Sequence, residues 1–383
     1  MTLLPIEALE KVVQRMVEED VNAFYSPSIR GHIEFTHELL VQYLAVYIHI
    51  QALQNRPSES DPNHNALRDN IKEALGHFAE VSDKPVPGLS RIELLLNRLC
   101  FTTEDENDFN ERFLNCIRVL GQWLAGDEKL FKYLGRRANT RLVPHKPGKI
   151  GLWIYELCAQ LASGLPFLLY FKAHIQETWR GEGYPVSQIM AEWGEIVKKK
   201  SNEGKTVLVA DSYYLDEAGR AALKELEVPY ICAVQAKRFH ILTNQAKKHV
   251  SKAGESIFLW NKKEHELLAH YYSPEPKIGR KFVLSNAYKK EEGTTRANYL
   301  PGCDDFAIMF STCDHFNCSL VDRTWPHRCS SGTRRLHDFY MTSILLNVMN
   351  VWRTVQGGDS MDVSWKDFMV GLADELWADI DAN

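Results

Sequence analysis

Residues Thr206 to Ala210 read Thr-Val-Leu-Val-Ala and run directly into Asp211. A short apolar run of this kind fits a buried strand that delivers a carboxylate at its C-terminal end. Ala218 to Leu226 then has helical spacing, and Tyr230 to Val234 is a second apolar run. Strand, helix, strand in that order predicts an α/β core. Upstream, Leu152–Leu157 and Phe167–Phe171 are β-rich pieces parted by the turn-prone Ser163-Gly164, and Val186–Lys199 is amphipathic and helical. Downstream, strand-like pieces recur around Trp260, Leu267–Tyr272 and Phe282–Leu284, and Phe339–Val355 is helical again.

The part of the chain before about Leu120 has a different character. Ile6, Leu9, Val12, Val13 and Met16 recur near a helical period. Thr36 is placed to cap a helix over Leu39–Leu53, with Glu38 in its first turn. The apolar stretch Leu39–Ile50 is too short to span a bilayer and predicts a buried helix. Asn55–Asn65 reads as a loop, a helix begins at Ile92, and Phe109–Leu124 is expected to be a further helix. Met1 to Val12 shows no basic segment followed by an apolar one, so no secretory leader is expected. The eight cysteines form no Cys-x-x-Cys pair, which suggests free thiols in a reducing compartment.

The net charge of −5 argues mildly against nucleic acid as a partner, but the charge is unevenly spread. Lys129 to Lys149 holds seven Lys or Arg and no acid, whereas Asp359 to Asp381 holds seven acids against Lys366 alone. The acidic end masks a basic middle; the alternative is that both are solvated faces. No Gly-x-Ser-x-Gly and no Gly-rich phosphate loop occurs, so hydrolases and nucleotide binders of those kinds are not indicated. Cys313, His315, Cys318, His327 and Cys329 raise a zinc alternative, but His327-x-Cys329 is cramped for a ligand pair.

Three acidic motifs remain: Gly126-Asp127-Glu128, Asp211-Ser212-Tyr213-Tyr214, and Asp305-Phe306 followed by Thr312-Cys313-Asp314 ahead of a helical stretch. Carboxylates are the usual magnesium ligands of enzymes that move phosphodiester bonds, yet three distant acids prove nothing by spacing alone. What joins them is a resemblance. Gly126–Gly151, with Asp127, Glu128, Gly135, Arg136, Lys146, Pro147, Lys149 and Gly151 at matching positions, resembles a segment of the piggyBac transposases. Val207–Arg238 is similar to that family's second aspartate motif, helix and strand, with Asp211, Tyr213 and Tyr214 in place. Lys252–Ser285 resembles the segment before the third aspartate. Setting Phe306 on the family's tyrosine puts Asp314, not Asp305 or Asp322, at the third aspartate, and Arg334-Arg335 near the family's basic pair. The resemblance runs colinearly from about Phe35 to Val355.

The resemblance implies an α/β fold with an RNase H-like catalytic core, a mixed sheet flanked by helices. It implies an N-terminal helical domain at 1–120, the core at 121–238 and 302–355, an insertion within 239–301, and an acidic tail at 356–383. It implies magnesium- or manganese-dependent DNA cleavage and strand transfer at TTAA targets, with Asp127, Asp211 and Asp314 as catalytic metal ligands. Arg136, Arg137, Arg141, Lys146 and Lys149 are candidate phosphate contacts. DNA as partner, a homodimer, no membrane association and a nuclear location follow from the same likeness. This sequence departs from the family at Ser311-Thr312, where a glycine pair is usual, at Ser212 for Asn, and at Asn317 for a further aspartate. A catalytically inactive, transposase-derived DNA-binding or interaction protein is therefore the alternative.

Overall fold

The structure, a computed structural model, describes all residues except 1–3, 5, 21–22, 27–30, 54–64, 118–121, 133–140, 143–149, 175–185, 202–204, 276–278, 289–301, 322–331 and 383. The chain divides into two compact units. The first comprises 1–113, 130–153 and 319–383; the second comprises 114–129 and 154–318.

The first unit is mostly helical. It contains α1 (Ile6–Glu19), a two-strand ribbon of β1 (Tyr25–Ser26) and β2 (Gly31–His32), α2 (His37–Ala52), α3 (Asn65–Val81), α4 (Leu89–Arg98) and most of α5 (Thr103–Cys116). The Thr36 hydroxyl accepts the Leu39 N–H at 3.1 Å, as its cap position predicts. Every side chain from Leu39 to Ala52 is buried, so α2 is the axis of this unit and not a surface helix. The expected loop at 55–65 lies outside the described residues, apart from Asn65, where α3 begins.

Two later helices complete the unit. In α10 (Gly332–Gln356), His337 is fully buried, stacked on Phe101 at 4.8 Å and 3.2 Å from the Tyr43 hydroxyl. Arg335, half of the basic pair singled out in the sequence, is spent internally: its guanidinium lies 4.4 Å over the Phe131 ring and 3.4 Å from the Asp338 carboxylate. The acidic end is helical. From Trp365 to Ala382 it forms α11, whose Met369, Ala373, Leu376, Trp377 and Ile380 are buried, with Trp377 stacked on Phe78 at 4.1 Å. Most of its charges are exposed, Asp374 meets His77 of α3, and its apolar stripe closes over α2 and α3.

The second unit is built on a mixed sheet. β3 (Trp123–Lys132), β5 (Ile150–Gln160) and β6 (Pro166–His174) come first in the chain; β5 and β6 form a hairpin turned through Gly164 at φ +86°. Then follow α6 (Val186–Lys200), β7 (Val207–Ala210), α7 (Glu217–Glu225), β8 (Tyr230–Ala233), α8 (His240–His249), β9 (Ser256–Asn261), β10 (Glu266–Tyr272) and β11 (Arg280–Ser285). The strand order is β5-β3-β7-β8-β11-β10-β9, with β6 also on β5; the short β4 (Arg141–Leu142) pairs with the start of β5. Strands β3, β7 and β8 are parallel, while β8 to β11, β11 to β10 and β10 to β9 are antiparallel. Strands β9 to β11, all within 239–301, therefore extend the sheet edge beyond β8. α9 (Cys303–Val321) lies after it in the chain.

Two expectations need correction. The helix expected over Phe109–Leu124 stops at Cys116, because Trp123 and Leu124 already pair with Val207 and Leu208 as the start of β3. The helix expected to follow Asp314 instead starts at Cys303, with Asp304 and Asp305 in its first turn, so Asp314 lies well inside it. Among the described residues, no helix is long and apolar enough to cross a membrane.

Candidate carboxylate site

The parallel ladder between β3 and β7 sets the register of the first two acidic motifs. Trp123 pairs with Val207, Leu124 with Leu208, Ala125 with Val209 and Gly126 with Ala210. The next residue on each strand is Asp127 and Asp211. Two carboxylates more than eighty positions apart in sequence thus sit side by side, one step past the last registered pair, both half-buried. Asp211 is also fixed locally: its Oδ1 accepts the Tyr213 N–H at 2.6 Å, which turns the chain off the strand end toward α7.

Alternation along β3 decides which way Asp127 faces. On one face are Gly126 and Glu128. A Cβ at Gly126 would stand 2.3 Å from the Trp193 ring, so only glycine fits there. Glu128 Oε2 accepts the Tyr214 hydroxyl at 2.6 Å, and the buried Tyr214 ring packs 4.8 Å from that of Trp193. Burial first, and the carboxylates of Glu128, Asp127 and Asp211 second, push the Tyr214 hydroxyl well above its ordinary range, so it stays a donor.

The opposite face carries Ala125, Asp127 and Lys129, and α9 lies against it. The Cys313 thiol donates to the Ala125 carbonyl at 3.0 Å, and the buried Lys129 ammonium donates to the Asn317 carbonyl at 3.0 Å. One helical turn, from Cys313 to Asn317, therefore spans the strand from 125 to 129. Asp127 stands midway along that span, and Asp314 sits on the same turn. A step of one residue turns the side chain about 100° from the Cys313 contact, and Asp314 is exposed. Asn317, where the resembled family has an aspartate, has a buried Oδ1 without a hydrogen-bond partner. The competing Asp305 receives the Tyr288 hydroxyl at the start of α9.

A fourth acid joins this face. Glu156, on β5 next to β3, is fully buried and shares the pleat face of Cys158, whose thiol meets that of Cys313. Burial above all, with Asp127 and Glu156 adding to it, pushes the Cys313 thiol up; neither thiol is primed as a nucleophile. Sequence reasoning passed over Glu156, although one acid inside Leu-Trp-Ile-Tyr-Glu-Leu was its signal. The zinc alternative does not assemble from Cys313, which faces the sheet, and His315 and Cys318, which are exposed; His327 and Cys329 lie outside the described residues. Arg136, Arg137, Lys146 and Lys149 also lie outside them, and of Arg141 only the backbone in β4 is described.

Among the described residues, the group of three potential metal ligands that closes to within 4.8 Å is His49, His77 and Asp374 in the first unit; the carboxylates of Asp127, Asp211 and Asp314 do not form such a group.

No family model matches the chain, and no curated protein matches its sequence. Among solved structures it is similar to a piggyBac transposase synaptic complex with hairpin DNA, determined by cryo-electron microscopy. The TM-score is 0.73 at 14% identity, covering 99% of this chain and 81% of that one. At this identity the likeness concerns the fold: a transposase-like mixed α/β architecture with helices flanking the sheet.

Proposed function

We propose that the chain acts on DNA as a divalent-metal-dependent nuclease and strand transferase of the transposase type, with Asp127, Asp211 and Asp314 as its metal ligands. The observation that carries the reading is that Asp127, midway along β3, and Asp211, just past the end of β7, each follow the last registered pair of two adjacent parallel strands, within a transposase-like fold. The donor set fits magnesium or manganese: hard carboxylate oxygens, both half-buried and so within reach of solvent. Such an ion, when bound, supplies Lewis acidity to the phosphodiester and lowers the pKa of the attacking water.

The chain's own residues do the positioning. Tyr214 and Trp193 hold Glu128 and Gly126 on one face of β3, which leaves Asp127 on the face toward α9. Lys129 ties that face to α9 through the Asn317 carbonyl, on the helix turn that also bears Asp314. In this reading Asp314, exposed on α9, would supply the third ligand. Arg136, Arg137, Arg141, Lys146 and Lys149 would contact phosphates, orienting the duplex without reading its sequence. TTAA targets, a homodimer and a nuclear location are the finer parts of the proposal.

A second reading has its own support. The exposed Asp314 and the open carboxylate set favour a transposase-derived DNA-binding protein without catalysis. The experiment is an assay with hairpin-ended and TTAA-containing duplexes in magnesium or manganese. Cleavage lost in both Asp127→Asn and Asp211→Asn supports the enzyme. Salt-sensitive binding with no cleavage selects the second reading, and no binding at all rejects both.

A further inference from the structure

The first unit contains a cluster that the carboxylate site does not use. His49 lies in the last turn of α2, His77 in α3, and Asp374 in α11. One potential ligand atom from each lies within 4.8 Å of the other two. The His77 Nε2 and Asp374 Oδ1 are 2.7 Å apart, and the His49 and His77 rings stack at 4.5 Å. His49 is only 6% exposed, and its buried Nδ1 has no hydrogen-bond partner. His77 and Asp374 are partly open, with side-chain exposures of 29% and 42%.

We propose that His49, His77 and Asp374 form a binding site for a first-row divalent transition ion of the zinc class, which clamps α2, α3 and α11 together. Three arguments support this. Two imidazoles and one carboxylate form a borderline donor set suited to zinc or cobalt and ill suited to magnesium or calcium. A buried imidazole nitrogen with no partner is costly to keep, and ligation satisfies it. The three residues come from three helices whose packing around the cluster is apolar: Phe78 stacks on Trp377 at 4.1 Å, and His49 meets Phe78 edge-on at 5.5 Å. Tetrahedral ligands around one ion stand about 3.3 Å apart at the usual bond lengths. Small side-chain rotations would close the present spacing to that value, with the ion replacing the hydrogen bond between His77 Nε2 and Asp374 Oδ1. The partly open side leaves the fourth position to water.

Burial, and next the neighbouring His77, push the His49 imidazole down to about 4, which agrees with a neutral, lone-pair-bearing ring. The geometry stands without it. The cluster shares no residue with the carboxylate site, so its test is independent of the nuclease proposal.

The experiment titrates the full chain, stripped with chelator, with cobalt and then zinc, reading the visible d–d absorption of tetrahedral cobalt, its displacement by zinc, and the thermal midpoint. The expected result is one tight equivalent and a midpoint a few degrees higher with zinc in excess. Asp374→Asn, at a half-exposed position, and His77→Gln should each weaken binding by at least about tenfold and remove the zinc-dependent shift. An Asp127→Asn/Asp211→Asn double variant should titrate like the parent. Equal binding in Asp374→Asn and parent, or no tetrahedral cobalt spectrum in the parent, overturns the proposal and leaves a plain His77–Asp374 hydrogen bond. Should His49→Gln fail to fold, the Asp374→Asn comparison still decides.

Discussion

Removing Arg220 should destabilise the second unit by about 3 kcal/mol, and the reason lies in Glu266. That carboxylate opens β10 with a side-chain exposure of 1%. Arg220, from α7, reaches it with a two-pronged guanidinium: Nε donates to Oε1 at 2.8 Å and an Nη to Oε2. The Tyr230 hydroxyl on β8 donates to Oε1, and the Lys224 ammonium lies 3.1 Å from the same oxygen. Breaking one side of a buried ion pair costs about 3–5 kcal/mol, because the remaining charge is stranded. Lys224 and Tyr230 stay in place, so the low end applies to Arg220→Ala. The assay is urea unfolding followed by two probes, for Arg220→Ala, Glu266→Gln and the pair Arg220→Ala/Glu266→Gln. The double variant should lose less than the sum of the singles by about 1.5 kcal/mol or more. Burial raises the Glu266 pKa, but the hydrogen bonds from Arg220, Tyr230 and Lys224 outweigh it and hold the carboxyl below its usual range. A depressed carboxyl stabilises the fold above the unfolded-state pKa, about 4.3, and that stabilisation is lost as pH falls through the folded value. The gap between parent and Glu266→Gln should therefore narrow in acid. A loss under about 1 kcal/mol for Arg220→Ala, or strict additivity, would refute the reasoning.

Three further outcomes are expected. Gly126→Ala should cost about 1–3 kcal/mol, since its methyl would meet the Trp193 ring at 2.3 Å; an unchanged urea midpoint would mean that the ring moves freely. Asp127→Asn and Asp211→Asn should each abolish metal-dependent cleavage while changing stability by less than about 1 kcal/mol, because both positions are partly open; cleavage at the parental rate in either would remove it from the ligand set. Neutralising Arg136, Arg137 and Arg141 together should flatten the log–log salt dependence of DNA binding by about 2.7, at roughly 0.9 per phosphate contact; an unchanged slope in filter binding would move the DNA surface elsewhere.

Much of the architecture was legible because it is encoded locally. Thr36 and the apolar run behind it specify α2, Thr-Val-Leu-Val-Ala specifies β7, and Ser163-Gly164 specifies the hairpin between β5 and β6. A cap, a period or a turn needs only neighbours in sequence. The start of β3 was misread for the opposite reason: Trp123 and Leu124 become strand through a ladder to Val207 and Leu208, and apolar residues near a helical spacing carry no trace of that partner. The sequence places Asp314 ahead of a helical stretch, whereas that helix starts at Cys303, with Asp304 and Asp305 in its first turn. The carboxylate site divides along the same line. Asp127 and Asp211 could be named from their motifs, but their adjacency follows from parallel pairing, and Glu156 joins them only because β5 lies beside β3. The cluster of His49, His77 and Asp374 was invisible in the sequence. The last two are 297 positions apart and meet because the apolar face of α11 has nowhere to bury itself except against α2 and α3.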